Sequence, residues 1–292
     1  METFKNETKK FEKITLDELN QTSSYLKRID RKFLTNNEKL KDILEDLKND
    51  FRILEINNKR VFSYDNVYMD TEDYLFYNQH QNKLKKRTKV RTRLYIDSNL
   101  AFFEYKQKEN WITQKYRYSF PVEEHWTMTK WKKRFFEWVW QALYTGEKVP
   151  KIFPAIQTKY KRITLVSKDW SERLTIDFDI RINNLRNKKQ KEIKLKNLVI
   201  IESKSLNKDC YSCKIIEQKH WIKQANSCSK YSLWVIYSWL AEKYDTFQDT
   251  MEEIKRIRLD TLKNRFRKTK LTNILKWNNI KETKNEKILI KK

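Results

Sequence analysis

Five cations recur at every second position across residues 85–93: Lys85, Arg87, Lys89, Arg91 and Arg93, with Lys86, Thr88, Val90 and Thr92 between them. Successive side chains of a β-strand point to opposite faces, so this spacing lines one face of one strand with positive charge. Two uses fit such a row. One is a solvated edge strand whose charges block aggregation. The other is a site for an oxygen-rich anion, which guanidinium groups grip two oxygens at a time. Lys32, Lys106, Lys115, Arg117, Arg162, Arg173 and Lys204 stand in segments with the same alternation. Carboxylates share their faces (Asp30, Glu104, Asp177, Asp179 and Glu202), and such hard oxygen donors suit Mg2+ or Mn2+. The sequence has one glycine, Gly146. P-loops and dinucleotide folds need several where backbone cradles phosphate, so phosphate chemistry here must rely on side chains.

Of the 292 residues, 64 are Lys or Arg and 39 are Asp or Glu, giving a formal charge of +25, while 39% are hydrophobic and 14% aromatic. Such a chain can bury a core and still repels itself, which points to a polyanionic partner: nucleic acid, anionic membrane or phosphate polymer. Cys210, Cys213 and Cys228 make no even disulfide framework, which fits a reducing compartment. With His220 they would supply four zinc ligands, but the spacing matches no common finger. The charged start, Met1–Lys13, lacks the apolar segment of a signal peptide. The longest apolar run, Leu233–Ala241, is too short to cross a bilayer. A soluble, cytoplasmic protein without a membrane span is expected.

Positioning the charged rows requires strands. Alternation predicts them over 25–34, 51–56, 61–69, 85–93, 100–108, 113–122, 158–166, 172–180 and 198–205. Asn57-Asn58 and Asp97-Ser98-Asn99 read as turns, and 183–197 as an exposed hairpin loop. Helices are expected over 35–49, with Thr35 as cap and Glu38 completing a capping box, and over 126–144, 214–226 and 229–244. A short helix or turn follows Asp70 and carries Tyr74, Phe76 and Tyr77. The domain reading is a polar lead-in (1–24), one folded domain (25–244) and a basic helical tail (245–292).

Ionisable residues on one face of six or more strands, apolar ones on the other, are explained if the sheet closes on itself. The charged faces then line a cationic lumen and the apolar faces pack outward against helices. Densely packed cations are tolerable there only with a polyanion inside. Several residues also have plainer accounts. Asp177 and Asp179 can form internal ion pairs with Arg173 and its neighbours, the aromatic cluster at 126–140 can be packing, and Ser229 can be a helix cap.

Taken in order, the motifs resemble the VTC (vacuolar transporter chaperone) domain, the polyphosphate polymerase branch of the CYTH-like triphosphate tunnel metalloenzymes. Arg28-Ile29-Asp30-Arg31-Lys32 is similar to that group's E-x-E-x-K strand, and Val67-Tyr68-Met69-Asp70-Thr71 to its Y-F-D-T segment. Arg87-x-Lys89-x-Arg91-x-Arg93, Glu104-Tyr105-Lys106 and Lys115-x-Arg117 resemble three further strands. Tyr160-Lys161-Arg162, Arg173-Leu174-Thr175-Ile176-Asp177 and Glu202-Ser203-Lys204 resemble others, and Ser229-Lys230-Tyr231 resembles the S-K-Y motif that opens the closing helix. The resemblance implies an α+β fold, an antiparallel eight-stranded β-barrel tunnel flanked by helices. It also implies transfer of the ATP γ-phosphate to a growing polyphosphate chain, with release of ADP. Lys32, Arg91, Arg93, Lys106 and Arg162 would then act on the reacting phosphates, and Glu202 would hold Mn2+ or Mg2+. Arg87, Lys89, Lys115, Arg117, Arg173, Lys204, Ser229 and Lys230 would bind substrate. Arg28 and Asp30 depart from the two glutamates of the hydrolytic members, which favours the polymerase branch. The alternatives are a triphosphatase acting on RNA 5′-triphosphate or inorganic triphosphate, and a non-catalytic polyphosphate- or nucleic-acid-binding module. Nucleic acid could also contact the basic tail after Lys255.

Overall fold

Wherever charged and apolar residues alternate with period two, the chain is strand. The computed structural model describes residues 4–21, 28–110, 112–238, 240–241 and 243–260. Its strands are β1 (Glu12–Ile14), β2 (Ile29–Asn36), β3 (Phe51–Leu54), β4 (Phe62–Asp70), β5 (Lys86–Tyr95) and β6 (Leu100–Glu109). They continue with β7 (Ile112–Phe120), β8 (Phe153–Ser167), β9 (Glu172–Asn184), β10 (Ile193–Leu195) and β11 (Leu198–Ser205). Eight run in the order β2-β11-β9-β8-β4-β5-β6-β7. Every adjacent pair is antiparallel. β5, the cationic strand, is therefore interior to the sheet, between β4 and β6, and not an edge.

The two ends of this order curl toward each other. Lys106 on β6 is under the electrostatic influence of Glu202 and Lys204 on β11 and of Asp30 on β2. Closure by hydrogen bonds, however, does not follow the expectation. Among the described residues β7 does not pair with β2. The edge of β2 is engaged elsewhere: Phe33 bridges Gln224, and the Ala225 N–H donates to the Lys32 carbonyl at 2.8 Å. Backbone groups already satisfied there have nothing to offer β7. β7 stays an exposed edge, and charges such as Lys115 and Arg117 suit that position.

The helices are α1 (Lys5–Lys9), α2 (Leu16–Gln21), α3 (Asn37–Leu47), α4 (Leu75–Gln81), α5 (Lys130–Leu143), α6 (Tyr211–Lys214) and α7 (Lys230–Tyr237). Two apolar clusters hold α3 and α5 on the outer wall, and a third seats α7 against the lumen face, where Tyr231 stacks on Tyr68. Leu40, Ile43, Leu44 and Leu47 of α3 meet Phe33, Leu165 and Ile201. Phe136, Val139 and Trp140 of α5 meet Phe103 and Tyr105, and Leu233 and Trp234 of α7 meet Ile156 and Ile180. Among the described residues no helix is long and apolar enough to cross a membrane.

Several local expectations are corrected. Asn36, not Thr35, caps α3, its side chain accepting from Lys39 N at 2.9 Å. Thr35 stays in β2, and Glu38 falls one position too early to complete a capping box. The run expected as one helix over 214–226 is α6 followed by a π turn, Ile215–Lys219. Within 183–197, β10 pairs with β9. The N-terminal stretch is built into the fold: β1 lies parallel to β3, and Phe4, Phe11, Ile14 and Leu19 are buried. Zinc ligands do not gather, since Cys210 and Cys213 form a disulfide and His220 pairs with Asp46 at 2.8 Å. A helical stretch covers 248–260, and the rest of the expected tail lies outside the described residues.

Candidate functional site

Residues directly opposed across an antiparallel pair share a face, so the register alone identifies the lumen wall. Lys32 stands opposite Glu202, and Asp30 opposite Lys204. Thr175 and Arg173 on β9 oppose the same two β11 residues. Asp177 opposes Arg162 on β8, Asn66 and Tyr68 on β4 oppose Arg93 and Arg91, and Arg91 and Lys89 oppose Glu104 and Lys106 on β6. Arg117 and Lys115 on β7 complete the row opposite Glu104 and Lys106, and Arg87 continues it along β5 opposite Lys108. Eight strands thus contribute to one face.

Three carboxylates organise most of these cations. Asp177, 1% exposed, accepts from Arg162 Nε at 2.5 Å and Nη2 at 2.8 Å, and Lys230 Nζ lies 2.6 Å away. Burial opposes its charge, but Arg162 and Lys230 outweigh that and hold the carboxyl below its usual range. Glu104, 2% exposed, takes Arg91 Nε and Nη2 on Oε2 at 2.6 Å each and Lys115 Nζ on Oε1 at 2.6 Å. Arg93 Nε stands 4.0 Å from the same Oε2 and donates to Asn66 Oδ1 at 2.8 Å. The third is Glu202. Lys204 Nζ at 2.8 Å and Lys32 Nζ at 3.5 Å share its Oε1. Although burial works the other way, these lysines keep Glu202 ionised well below the usual carboxylate range. Burial likewise works against the charge of Lys32, and Glu202 raises its pKa despite that.

Arg87, Arg117, Lys89 and Lys106 of this row have no carboxylate partner among the described residues, and two of them are lysines that face each other. Desolvation, followed by repulsion from Lys106, Lys32, Arg87 and Arg91, drives the Lys89 ammonium well below its ordinary pKa. Desolvation pushes Lys106 down to about 8, the pull of Glu202 notwithstanding.

An aromatic wall on β4 and β8 is only partly contained in the motifs, which include Tyr68 and Tyr160 but not Tyr64. The Tyr64 ring stacks on Tyr160 with centroids 5.3 Å apart, and the guanidiniums of Arg162 and Arg93 lie 5.0 and 5.6 Å from it. Arg91 Nη1 reaches the Tyr68 hydroxyl at 3.4 Å. Cation–π contacts hold the guanidinium planes without neutralising them. The available signal was the alternation Phe62, Tyr64, Asn66, Tyr68, whose lumen face is aromatic where the others are charged.

The expected residues therefore converge, with distinctions. Lys32, Arg91, Arg93, Lys106, Arg162, Lys204, Lys230 and Glu202 line one lumen. Arg173 lies beside Lys204, while Arg117 is exposed on β7 with its guanidinium 4.9 Å from the Phe102 ring. The Ser229 hydroxyl accepts from Ser232 N at 3.3 Å as the cap of α7. Asp177 does form an internal ion pair, but with Arg162 and Lys230. Asp179 leaves the row: register shifts between Lys159 and Lys161, Asp179 adopts a positive φ of 50°, and its carboxylate meets Arg181 at 3.2 Å. Trp140 is packing, whereas Trp131 and Trp138 are exposed. Among the described residues no group of three His, Cys, Asp or Glu gathers as a metal cage. A divalent cation would have Glu202 as its protein donor and draw its remaining ligands from phosphate oxygens and water, a common way to hold Mg2+.

Residues 27–236 match the VTC domain family. No curated protein matches the chain. Solved structures similar to it include a candidate adenylate cyclase from Bacillus halodurans, 15% identical over 70% of this chain and 96% of that one, TM-score 0.46. A candidate adenylyl cyclase from Hippeastrum, described as revealing a dominant triphosphatase activity, is 11% identical over 75% of this chain and 99% of that one, TM-score 0.46. The PH1819 protein of Pyrococcus horikoshii is 13% identical over 72% and 99%, TM-score 0.39.

Proposed function

The chain belongs to the VTC domain family, and from that premise we propose that it is a polyphosphate polymerase: it transfers the γ-phosphate of ATP to a polyphosphate held in the lumen. The observation that carries this reading is the pair Lys89 and Lys106, facing each other with no carboxylate between them. Two such ammonium groups gain from a bound chain of phosphates what the protein does not supply. The lumen carboxylates are each engaged by cations, which leaves little acidic surface for a two-metal hydrolase.

Phosphoryl transfer asks chiefly for alignment and charge neutralisation. Arg91 and Arg93, set by Glu104, Asn66 and the tyrosines, present guanidinium forks to nucleotide phosphate oxygens. Arg162, fixed by Asp177, does the same from the neighbouring wall, and Lys32 and Lys106 add point charges. An oxygen of the terminal acceptor phosphate forms the new bond to the γ-phosphorus as the bond to the β,γ-bridging oxygen breaks, and ADP carries that electron pair away. The acceptor oxygen is already anionic at neutral pH, so no protein base is needed. Mn2+ or Mg2+, held by Glu202, would supply Lewis-acid neutralisation of the phosphate oxygens. Lys89, Arg87, Lys115, Arg173, Lys204 and Lys230 continue the cationic path for the polymer.

Purified protein incubated with ATP and Mn2+ should give ADP and a polyphosphate ladder on a gel. Glu202→Gln should lower kcat by about a hundredfold. Phosphate release from triphosphates without polymer would replace this reading with hydrolysis, and no turnover at all would leave a binding module.

A further inference from the structure

The outer wall over β6 and β7 carries a second chemically distinct surface, independent of the lumen reaction. Phe136, Val139 and Trp140 on the inner face of α5 are buried. Trp131 and Trp138 are seven residues, hence two turns, apart on its outer side. They are 68% and 61% exposed. With Tyr118, Arg134 and Phe135 they line a groove of about 430 Å³. Tyr116 and Ile112 share the outer face of β7 with Tyr118; Tyr116 lies edge-on to Trp138, and Ile112 is 69% exposed. Lys130, Lys133 and Arg134 rim the patch, all exposed, and the Arg134 guanidinium sits 5.4 Å from the Trp131 ring. Glu137 is the one acid in α5.

We propose that this face docks on an anionic lipid surface. Indole rings are amphipathic and favour the depth where headgroups meet acyl chains, and adjacent lysines and arginines are drawn to anionic headgroups. Charge argues against the other occupants. A second copy of a chain at +25 would set Lys130, Lys133 and Arg134 against further positive charge. A single nucleic-acid strand needs cations along its whole path past the stacked rings. Here they cluster in the first turns of α5, and Glu137 stands next to Trp138.

The full chain should cosediment with vesicles of phosphatidylcholine mixed with phosphatidylserine, and only weakly with phosphatidylcholine alone. Binding should weaken with salt and be accompanied by a blue shift of tryptophan fluorescence. The double variant Trp131→Ala/Trp138→Ala should lose about tenfold or more in vesicle affinity and much of the shift. Lys130→Glu/Lys133→Glu should lose about tenfold as well. All four side chains are exposed, so melting temperatures should stay near that of the parent, which separates lost docking from lost folding. Failure to bind mixed vesicles, or binding that survives the tryptophan pair, overturns the proposal; the latter would assign vesicle binding to cations elsewhere. It is equally overturned if the tryptophan pair instead abolishes self-association or binding of a single-stranded RNA oligonucleotide.

Discussion

Replacing Asp177 by Asn removes one negative charge with almost no change of shape, and the structure sets the consequence. The carboxylate is 1% exposed and holds Arg162 through two hydrogen bonds and Lys230 through a contact of 2.6 Å. Stripping the counter-charge from buried cations costs about 3–5 kcal/mol, and for a fold of this size each kcal/mol moves the melting temperature by roughly 2–4 °C. Asp177→Asn should therefore melt about 10 °C lower without ligand. Inorganic tripolyphosphate should recover much of that loss, because its oxygens supply the missing charge at Arg162 and Lys230. The ligand-induced rise should thus be larger in the variant than in the parent. Differential scanning fluorimetry with and without tripolyphosphate reads both quantities. A variant that melts within about 2 °C of the parent would refute the ion-pair assignment. One that is destabilised but gains no extra from tripolyphosphate would show that Arg162 and Lys230 do not meet phosphate. The acid limb provides a control. Since the folded-state pKa of Asp177 is depressed, its contribution is full above the ordinary aspartate range and is lost as pH falls through the lower folded value. The two melting curves should converge in acid.

Desolvation in the lumen pushes Lys106 down to about 8 from an ordinary 10.5. Between those values the unfolded chain holds a proton the folded one lacks, so the Lys106 contribution to stability rises with pH across that window. Phosphate binding needs the charged form, so tripolyphosphate affinity measured by calorimetry should fall as pH rises above about 8. Lys106→Arg should flatten that decline because guanidinium stays charged; an unchanged pH profile would remove Lys106 from the binding path. Ser229→Ala should cost about 1 kcal/mol in urea denaturation, the worth of a helix cap. If tripolyphosphate affinity falls in that variant while stability is unchanged, the hydroxyl serves the ligand and not α7.

The lumen was legible because its signal is period-two alternation of charge, a pattern that strands impose and helices scatter. Arg87, Lys89, Arg91 and Arg93 could be assigned to one face before any partner strand was known, and the register places Lys106 and Glu104 opposite them. Asp179 was misread because a bulge changes which residues face inward, and nothing in Asp177-Phe178-Asp179-Ile180 announces the extra residue. The cap of α3 falls one position later than expected because Thr35 and Asn36 are both good caps, and the pairing with β11 runs on to Asn36, opposite Leu198, before the helix begins. The unpaired seam was invisible for another reason: it depends on Gln224 and Ala225, nearly two hundred residues from the strand they cover. Trp131 and Trp138 share the spacing of core aromatics, and only their orientation on α5 separates them from Trp140.

The segment lying on β2 has a mechanical meaning. From Ala225, hydrogen-bonded to Lys32, the chain continues directly to Lys230, whose ammonium grips Asp177 inside the lumen. The next residue, Tyr231, is tied through its hydroxyl to the buried carboxylate of Asp70, which also accepts from the Phe76 and Tyr77 N–H groups in the first turn of α4. Fastener, cation and anchor are thus consecutive along one short run of backbone. The clasp on β2 and one of the two cations on Asp177 are thereby carried by the same short segment, which ties the open seam of the sheet to the charge balance of the wall beside it.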